Sequence, residues 1–320
     1  MTGLKAEFIN KVGLVGTGMV GTSFAYALMQ RGVATDLVLV DVDAARAEGE
    51  AMDLNHGMSF VRPMQITSGT YADLAGSSVV VIAAGVNQKP GETRLDLLQR
   101  NADIMRTIVP QIVHYAPHAV IVMATNPVDI LTHIAATCVN VPLGQIIGSG
   151  TILDTARFRY LLGDYYRVDP RSVHAYIIGE HGDSELALWS LANVAGVRLH
   201  EFIGPGGRSY DQEKMSQILD QTRNAAYEII KRKKATYYAI GLGLLTIVEA
   251  ILRDQHTVLT VSSEMQGQYG VENISLSLPT IVGKDGAEEV LNLTISPDEI
   301  AAFQQSATIL QDQLAQLDRV

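Results

Sequence analysis

Three groups of residues in this chain have types and spacings that chemistry can use. The first is Gly16-Thr17-Gly18-Met19-Val20-Gly21, which follows the apolar run Val12 to Val15 and opens a helical pattern from about Val20 to Arg31. Gly32 closes that pattern. A GxGxxG turn between a strand and a helix fits the pyrophosphate of a dinucleotide. Gly16 permits the sharp turn, Gly18 lets the pyrophosphate approach the backbone, and Gly21 lets helix and strand pack closely. The amides near Met19 and Val20 stand at the helix N-terminus, where the dipole favours an anion. Asp41 ends the next strand, twenty residues after Gly21. At that spacing an acid reaches the adenosine ribose hydroxyls. Asp41-Val42-Asp43 repels a 2′-phosphate and the one nearby base is Arg46, so the expected cofactor is NAD rather than NADP.

The second group is Asp154, Arg157 and His181. Asp154 and Arg157 are three residues apart on a helical stretch and project from one face. A guanidinium fork suits a carboxylate bidentately, which lysine does not. The plainer reading is an ordinary ion pair. His181 sits in Gly179-Glu180-His181-Gly182, after a buried strand. A histidine there is either a satisfied core residue or a proton donor with a pKa near working pH. Asp154 is a carboxylate able to hold its tautomer and stabilise its charged form. The third group is Gly85 to Asp96, GVNQKPGETRLD, a polar loop at a strand end. It reads as a lid bringing Arg94 onto a substrate carbonyl and excluding water, or more plainly as a loop without function.

The elements that position these groups follow from the patterning. A chain of 320 residues suggests about two domains, and 47% hydrophobic residues suffice for a large core. Ser78–Ala83 and Ala119–Ala124 are near-continuous apolar strands, as in a parallel sheet covered on both faces. Helices are expected at about Asp43–His56, at about Leu95–Tyr115 with Pro110 kinking it, and after Thr125-Asn126-Pro127 to about Cys138. Strands and helices alternate through residues 1–148, which predicts a doubly wound parallel (Rossmann) sheet as the dinucleotide-binding domain. Asp41, Gly85, Val86, Thr125, Asn126 and Ser149 fall at C-terminal strand ends, where such sheets bind ligands. Tyr71, after the third strand, is a candidate for the adenine side. Residues 149–320 read as an α+β substrate domain. It has a helix over Ile152–Tyr166, a strand over Val173–Ile178, and long helices over Asp211–Lys231 and Thr236–Arg253. Thr257–Val261 and Ser275–Val282 read as antiparallel strands. The last helix opens with the capping box Ser296-Pro297-Asp298-Glu299.

Net charge is −10, from 24 basic and 34 acidic residues, which argues against nucleic-acid or acidic-membrane partners. Lys231–Lys234 is the one basic run, and it ends a helix. Cys138 is alone, so neither a disulfide framework nor a thiolate zinc cluster is expected. His56, His114 and His200 show no ligand pairing, and no metal is expected. The first ten residues lack the apolar core of a signal peptide, so the expected location is cytoplasmic.

The segments LVGTGMVG, NQKPGETR, TNPVD, LDTARFR, IIGEHGDSE and KRKKATYYAI resemble bacterial NAD-dependent L-lactate dehydrogenases of the lactate/malate dehydrogenase superfamily, in family order and over nearly the whole chain. The resemblance implies hydride transfer between NAD(H) and pyruvate or L-lactate. It implies His181 as acid/base, Asp154 as its partner, Arg157 as anchor of the substrate carboxylate and Arg94 as the polarising cation. Gln88 is the implied substrate selector, because malate enzymes carry arginine there for the second carboxylate of oxaloacetate. Asn126 and Thr236 are implied in the pocket, with Ile240 against the nicotinamide. Arg159 lies about 200° around the helix from Arg157 and cannot serve the same anion. His174 lies an odd number of residues before His181, so in a continuous strand the two point to opposite faces. The resemblance implies that Arg159 and His174 bind fructose 1,6-bisphosphate in an activated homotetramer. The rivals are a dehydrogenase of malate or another 2-hydroxy acid, and a non-catalytic NAD-binding protein. A set of proton donor, partner and two arginines argues against the second.

Overall fold

The computed structural model describes residues 10–87 and 91–317. The expected alternation is present in the first half. Parallel strands β1 (Lys11–Val15), β2 (Asp36–Val40), β3 (Gln65–Ser68), β4 (Val79–Ile82), β5 (Val120–Met123) and β6 (Ile146–Gly148) are joined through α1 (Met19–Arg31), α2 (Ala44–His56), α3 (Arg94–Tyr115) and α4 (Val128–Thr137). β4 shows why its sequence is apolar at every position. Val80 and Ile82 face Met105 and Ile112 of α3, while Val79 and Val81 join Phe24 and Leu28 of α1. Both faces of the sheet are covered, so alternation has no polar side to record. The strand order reverses between β1 and β4, which opens a crevice at the C-terminal strand ends.

The second half contains α5 (Ile152–Tyr166), the two-residue strands β7 (Val173–His174), β8 (Ile177–Ile178), β9 (Leu186–Ala187), β10 (Asn193–Val194) and β11 (Val197–Arg198), then α6 (Gln212–Lys233) and α7 (Tyr238–Leu252). It closes with β12 (Thr257–Gln266), β13 (Glu272–Gly283), β14 (Gly286–Val290) and α8 (Pro297–Leu317). The antiparallel strands are longer than expected and do not form a sheet of their own. They extend the parallel one into nine strands, ordered β14-β13-β12-β6-β5-β4-β1-β2-β3. The seam is the pairing of Gly148 on β6 with Ser262 on β12. It covers the edge that β6 would otherwise expose. Gly148 is required there, because a Cβ would stand 2.4 Å from Thr132 Oγ1 and 3.0 Å from the Ser262 Cβ.

Three local expectations need correction. The single strand expected over Val173–Ile178 is broken: β7 pairs with β10, and β8 pairs with β9. Side chains and a neighbouring loop claim the intervening backbone groups. Arg159 Nε donates to the Ala175 carbonyl, the Leu188 amide to Tyr176, and the Ile177 amide to Thr155 Oγ1. An odd offset along one strand therefore does not relate His174 to His181. α3 runs through Pro110 to Tyr115 as expected, but its start at Arg94, fixed by a capping box between Thr93 and Asp96, takes the end of the expected loop into the helix. Arg94 is thus the first helical residue rather than part of a free loop. α7 starts at Tyr238, so Thr236 precedes the helix instead of opening it.

Candidate active site

The glycine turn folds as its types require. Gly16 has φ +99°, and a Cβ there would meet the Ala84 backbone at 2.4 Å. A Cβ on Gly21 would stand 2.1 Å from the Gly16 carbonyl, whereas one on Gly18 would meet nothing within 4 Å. Gly18 therefore faces open space, at the start of α1, where the first-turn amides have no intrahelical acceptor. Thr22 is the first residue whose amide closes back, onto Gly18. Asp41 Oδ2 accepts from the Thr17 amide (2.7 Å) and hydroxyl (2.8 Å), and Oδ1 from the Asp43 amide (3.0 Å). Burial acts to raise the Asp41 pKa, but these hydrogen bonds outweigh it and hold the carboxyl below its usual range. Gly16, Gly18, Asp41, Arg46, Tyr71, Gly85 and Val86 line one cleft of about 850 Å³. The acidic wall and the phosphate-ready turn fit a dinucleotide without a 2′-phosphate.

Met19 is exposed and Val20 partly buried at the start of α1. Thr125 Oγ1 donates to Ala84, and Asn126 is exposed at the mouth, followed by a cis bond to Pro127. Ser149, just after β6, is 3% exposed. Ile240 packs on the α1 side of the sheet, in the cluster that Val20 also borders.

The second cluster is built from α5 and the loop after β8. Asp154, 2% exposed, uses both carboxylate oxygens. Oδ2 pairs with His181 Nδ1, and Oδ1 accepts from Arg157 Nη1 at 2.7 Å. One buried carboxylate therefore sets the imidazole and the guanidinium relative to each other. Asp129 on α4 accepts the His181 backbone amide at 2.7 Å. Ser306 on α8 accepts from the Glu180 amide at 2.9 Å and pairs with Ser184 Oγ at 2.8 Å. The His181 loop is thus held from both halves of the chain. Burial disfavours the imidazolium, but the charge of Asp154, with Asp129 and Glu185 behind it, prevails and lifts His181 to about 9. The His181 side chain keeps 24% of its surface exposed, and its Nδ1 is taken by Asp154. Burial acts to raise Asp154 as well, and His181 and Arg157 hold it down. The arrangement can hold a proton at His181 Nε2 beside a cation suited to a carboxylate.

Arg157 and Thr236 line a common cavity of about 690 Å³ with Leu153, Asn224 and Ala239. Arg94 is exposed, and its charge is felt by Tyr227 of α6, whose hydroxyl donates to Asp183 in the His181 loop. Gln88 lies outside the described residues. Arg159 does point elsewhere. Its guanidinium lies over the Tyr176 ring at 5.0 Å and lines a separate cavity of about 390 Å³ with Arg171. His174 is exposed on β7 and does not line that cavity.

Sequence reasoning missed Asn101, Asp129 and Ser306. Asn101 is 1% exposed and clamps two strand-end loops, with Oδ1 accepting from the Val86 amide at 2.9 Å and Nδ2 near the Val86 and Asn126 carbonyls. Its signal was available, since Asn101 interrupts the apolar face of Leu98 and Met105. It also missed His256, which converges with Asp254 and Glu288 on the surface, all three exposed. No helix among the described residues is long and apolar enough to cross a membrane.

Two family models match the chain: the NAD-binding domain of lactate/malate dehydrogenase over residues 10–148, and the alpha/beta C-terminal domain of the same family over residues 151–319. The chain is 49% identical over 312 residues to L-lactate dehydrogenase of Acetivibrio thermocellus, covering 98% of each protein. It is 51% identical over 308 residues to L-lactate dehydrogenase of Moorella thermoacetica, covering 96% of this chain and 97% of that protein. Among solved structures, the minor L-lactate dehydrogenase of Enterococcus mundtii is similar with a TM-score of 0.93 and 46% identity, covering 96% of this chain and 98% of that one. A lactate dehydrogenase from a deep-sea metagenome library gives 0.94 at 44% identity, covering 97% and 99%.

Proposed function

The chain belongs to the lactate/malate dehydrogenase family and is an NAD-dependent oxidoreductase, and from that premise we propose that it interconverts pyruvate and L-lactate. The observation that carries the reading is the shared carboxylate of Asp154, which ties a proton-bearing imidazole to a carboxylate-binding guanidinium. Residues 1–148 hold the cofactor and residues 149–320 supply most of the substrate site. Asp41 takes the adenosine ribose, with Arg46 and Tyr71 beside it, and the turn from Gly16 to Gly21 takes the pyrophosphate. Gly85, Val86, Thr125, Asn126 and Ser149 border the rest of the dinucleotide. NADH held by these residues would supply the hydride for C2 of pyruvate.

This chain's own residues do the remaining work. Arg157 orients pyruvate by its carboxylate, with Thr236 lining the pocket. Both imidazolium nitrogens carry hydrogens, and Asp154 accepts one of them. The other, at Nε2, passes to the carbonyl oxygen as the alkoxide develops. Arg94 and Asn126 polarise that oxygen, and Ile240 keeps the nicotinamide side dry. Lactate oxidation uses the same groups in reverse, starting from neutral His181.

Gln88 selects the substrate by offering a neutral amide where a dicarboxylate needs a cation. NADH oxidation with pyruvate, oxaloacetate and longer 2-keto acids tests this directly. Wild type is expected to prefer pyruvate. Gln88→Arg is expected to move the ratio of specificity constants toward oxaloacetate by tenfold or more, since a hydrogen bond to a charged group contributes about 1.5–3 kcal/mol. A wild-type preference for oxaloacetate, or an unchanged ratio in the variant, rules out the assignment.

The proposal extends to regulation in a cytoplasmic homotetramer. Arg159, directed away from Arg157, and His174 form the binding site for fructose 1,6-bisphosphate, whose phosphates relieve repulsion between bases brought together across a subunit boundary. The activator is expected to lower the pyruvate KM several-fold in wild type and to favour the tetramer in sedimentation. Arg159→Gln is expected to lose both responses. Equal responses in the two proteins, or none in wild type at millimolar activator, remove the site.

A further inference from the structure

α3 begins with Arg94 and, two turns later, carries a buried amide where the loops after β4 and β5 meet. Asn101 is 1% exposed. Its Oδ1 accepts from the Val86 amide at 2.9 Å, and its Nδ2 donates to the Val86 carbonyl at 3.4 Å and to the Asn126 carbonyl at 3.5 Å. A carboxamide has an acceptor oxygen and two N–H hydrogens, so these partners match it group for group. A carboxylate there would set oxygen against two carbonyls, and a hydroxyl has one hydrogen for two acceptors. The surroundings are close-packed: a Cβ on Gly85 would stand 3.2 Å from Asn101 Oδ1 and 2.4 Å from Thr125 Cγ2.

We propose that Asn101 is a positioning residue that keeps Arg94 and Asn126, the two groups that polarise the substrate carbonyl, in register with each other. The inference rests on that reading of Arg94 and Asn126. Arg94 opens α3 seven residues before Asn101. At 3.6 residues per turn the two lie about 20° apart around the helix and about 10 Å apart along it. One face of α3 therefore carries the cation at its first residue and the tie to the floor of the site two turns later. Where that tie holds the helix decides where Arg94 can reach. The far end of the tie is the backbone of Asn126 itself, and Val86, on the dinucleotide cleft, is held by the same side chain. At 1% exposure Asn101 has no surface to offer substrate, so it acts through the groups it holds.

Replacing Asn101 leaves the rest of this neighbourhood connected. Leu98 and Met105 still pack α3 into the core, and Thr125 Oγ1 still links the two loops through the Ala84 carbonyl at 2.7 Å. What is lost is the polar register, and a misplacement of about 1 Å can cost about a hundredfold in rate. Asn101→Ala is therefore expected to lower kcat for pyruvate reduction by about tenfold to a hundredfold at saturating NADH. KM for pyruvate should stay within about threefold, because Arg157 and Thr236 hold the carboxylate from other elements. The experiment is steady-state kinetics of the full chain for wild type, Asn101→Ala, Arg94→Gln and the double variant, with thermal unfolding of each alongside. Because Asn101 acts partly through Arg94, the double variant should lose less than the product of the two single losses. If Asn101→Ala does not fold, Asn101→Ser is judged by the same criteria. A folded variant with a lower melting temperature but kcat within about twofold of wild type, or losses that multiply in full, overturns the role of Asn101 alone. An Arg94→Gln variant with unchanged kcat overturns the reading of Arg94 and this proposal with it.

Discussion

Replacing His181 with asparagine is expected to lower kcat for pyruvate reduction by about 10²–10⁴-fold, the range of positioned general acid–base catalysis. Asparagine keeps a polar side chain of similar reach but has no proton to give. NADH affinity, measured by fluorescence titration, is expected to stay within about twofold, because the dinucleotide cleft is lined by other residues. The pH profile carries the same assignment. Reduction requires the charged imidazole, which Asp154 maintains up to about pH 9. Wild-type reduction should therefore hold through neutral pH and fall as pH passes that value, while lactate oxidation gains what reduction loses. The variant's residual activity should lack this limb. Retention of more than a tenth of wild-type turnover would sink the role.

Arg157→Lys keeps the charge and removes the fork. The loss is twofold: one hydrogen bond to the substrate carboxylate, and the fixed hold on Asp154 Oδ1. A charge-assisted hydrogen bond contributes about 1.5–3 kcal/mol, so kcat/KM for pyruvate should fall by about tenfold to a hundredfold or more. The carboxylate is remote from the reacting carbon, so most of the fall is expected in KM. A Lys variant within about threefold of wild type would show that Arg157 is a structural ion pair. Arg157→Gln, which removes the charge as well, should lose more.

The parallel half of the fold was legible because each of its elements declares itself locally. The run at β4 is apolar at every position, Gly32 closes α1 in the left-handed region, and the glycine turn sits between its strand and its helix. The seam between halves was not legible. Nothing in the pattern of β12 says which edge it will join, since pairing partners are set by tertiary packing. The break between β7 and β8 was hidden for a related reason. The sequence reads as one β-rich run, but Arg159 and Thr155, reaching from α5, and the Leu188 amide take the backbone groups that would have continued it. Within the site, His181, Asp154 and Arg157 stood out by residue type and spacing. Ser306 did not, because its partners Glu180 and Ser184 lie more than a hundred residues away along the chain.

The nine-stranded sheet also bears on how this molecule can move. Enzymes with two lobes often shut by swinging one against the other about a flexible joint. Here a backbone pairing crosses the boundary at Gly148 and Ser262, and the glycine is packed too tightly to accept a methyl group. Along that seam the two lobes share one sheet. Closing over substrate is then expected from pieces attached to that sheet rather than from bending it. Transplanting the first half from a relative would then succeed or fail on whether the grain matches along a single seam.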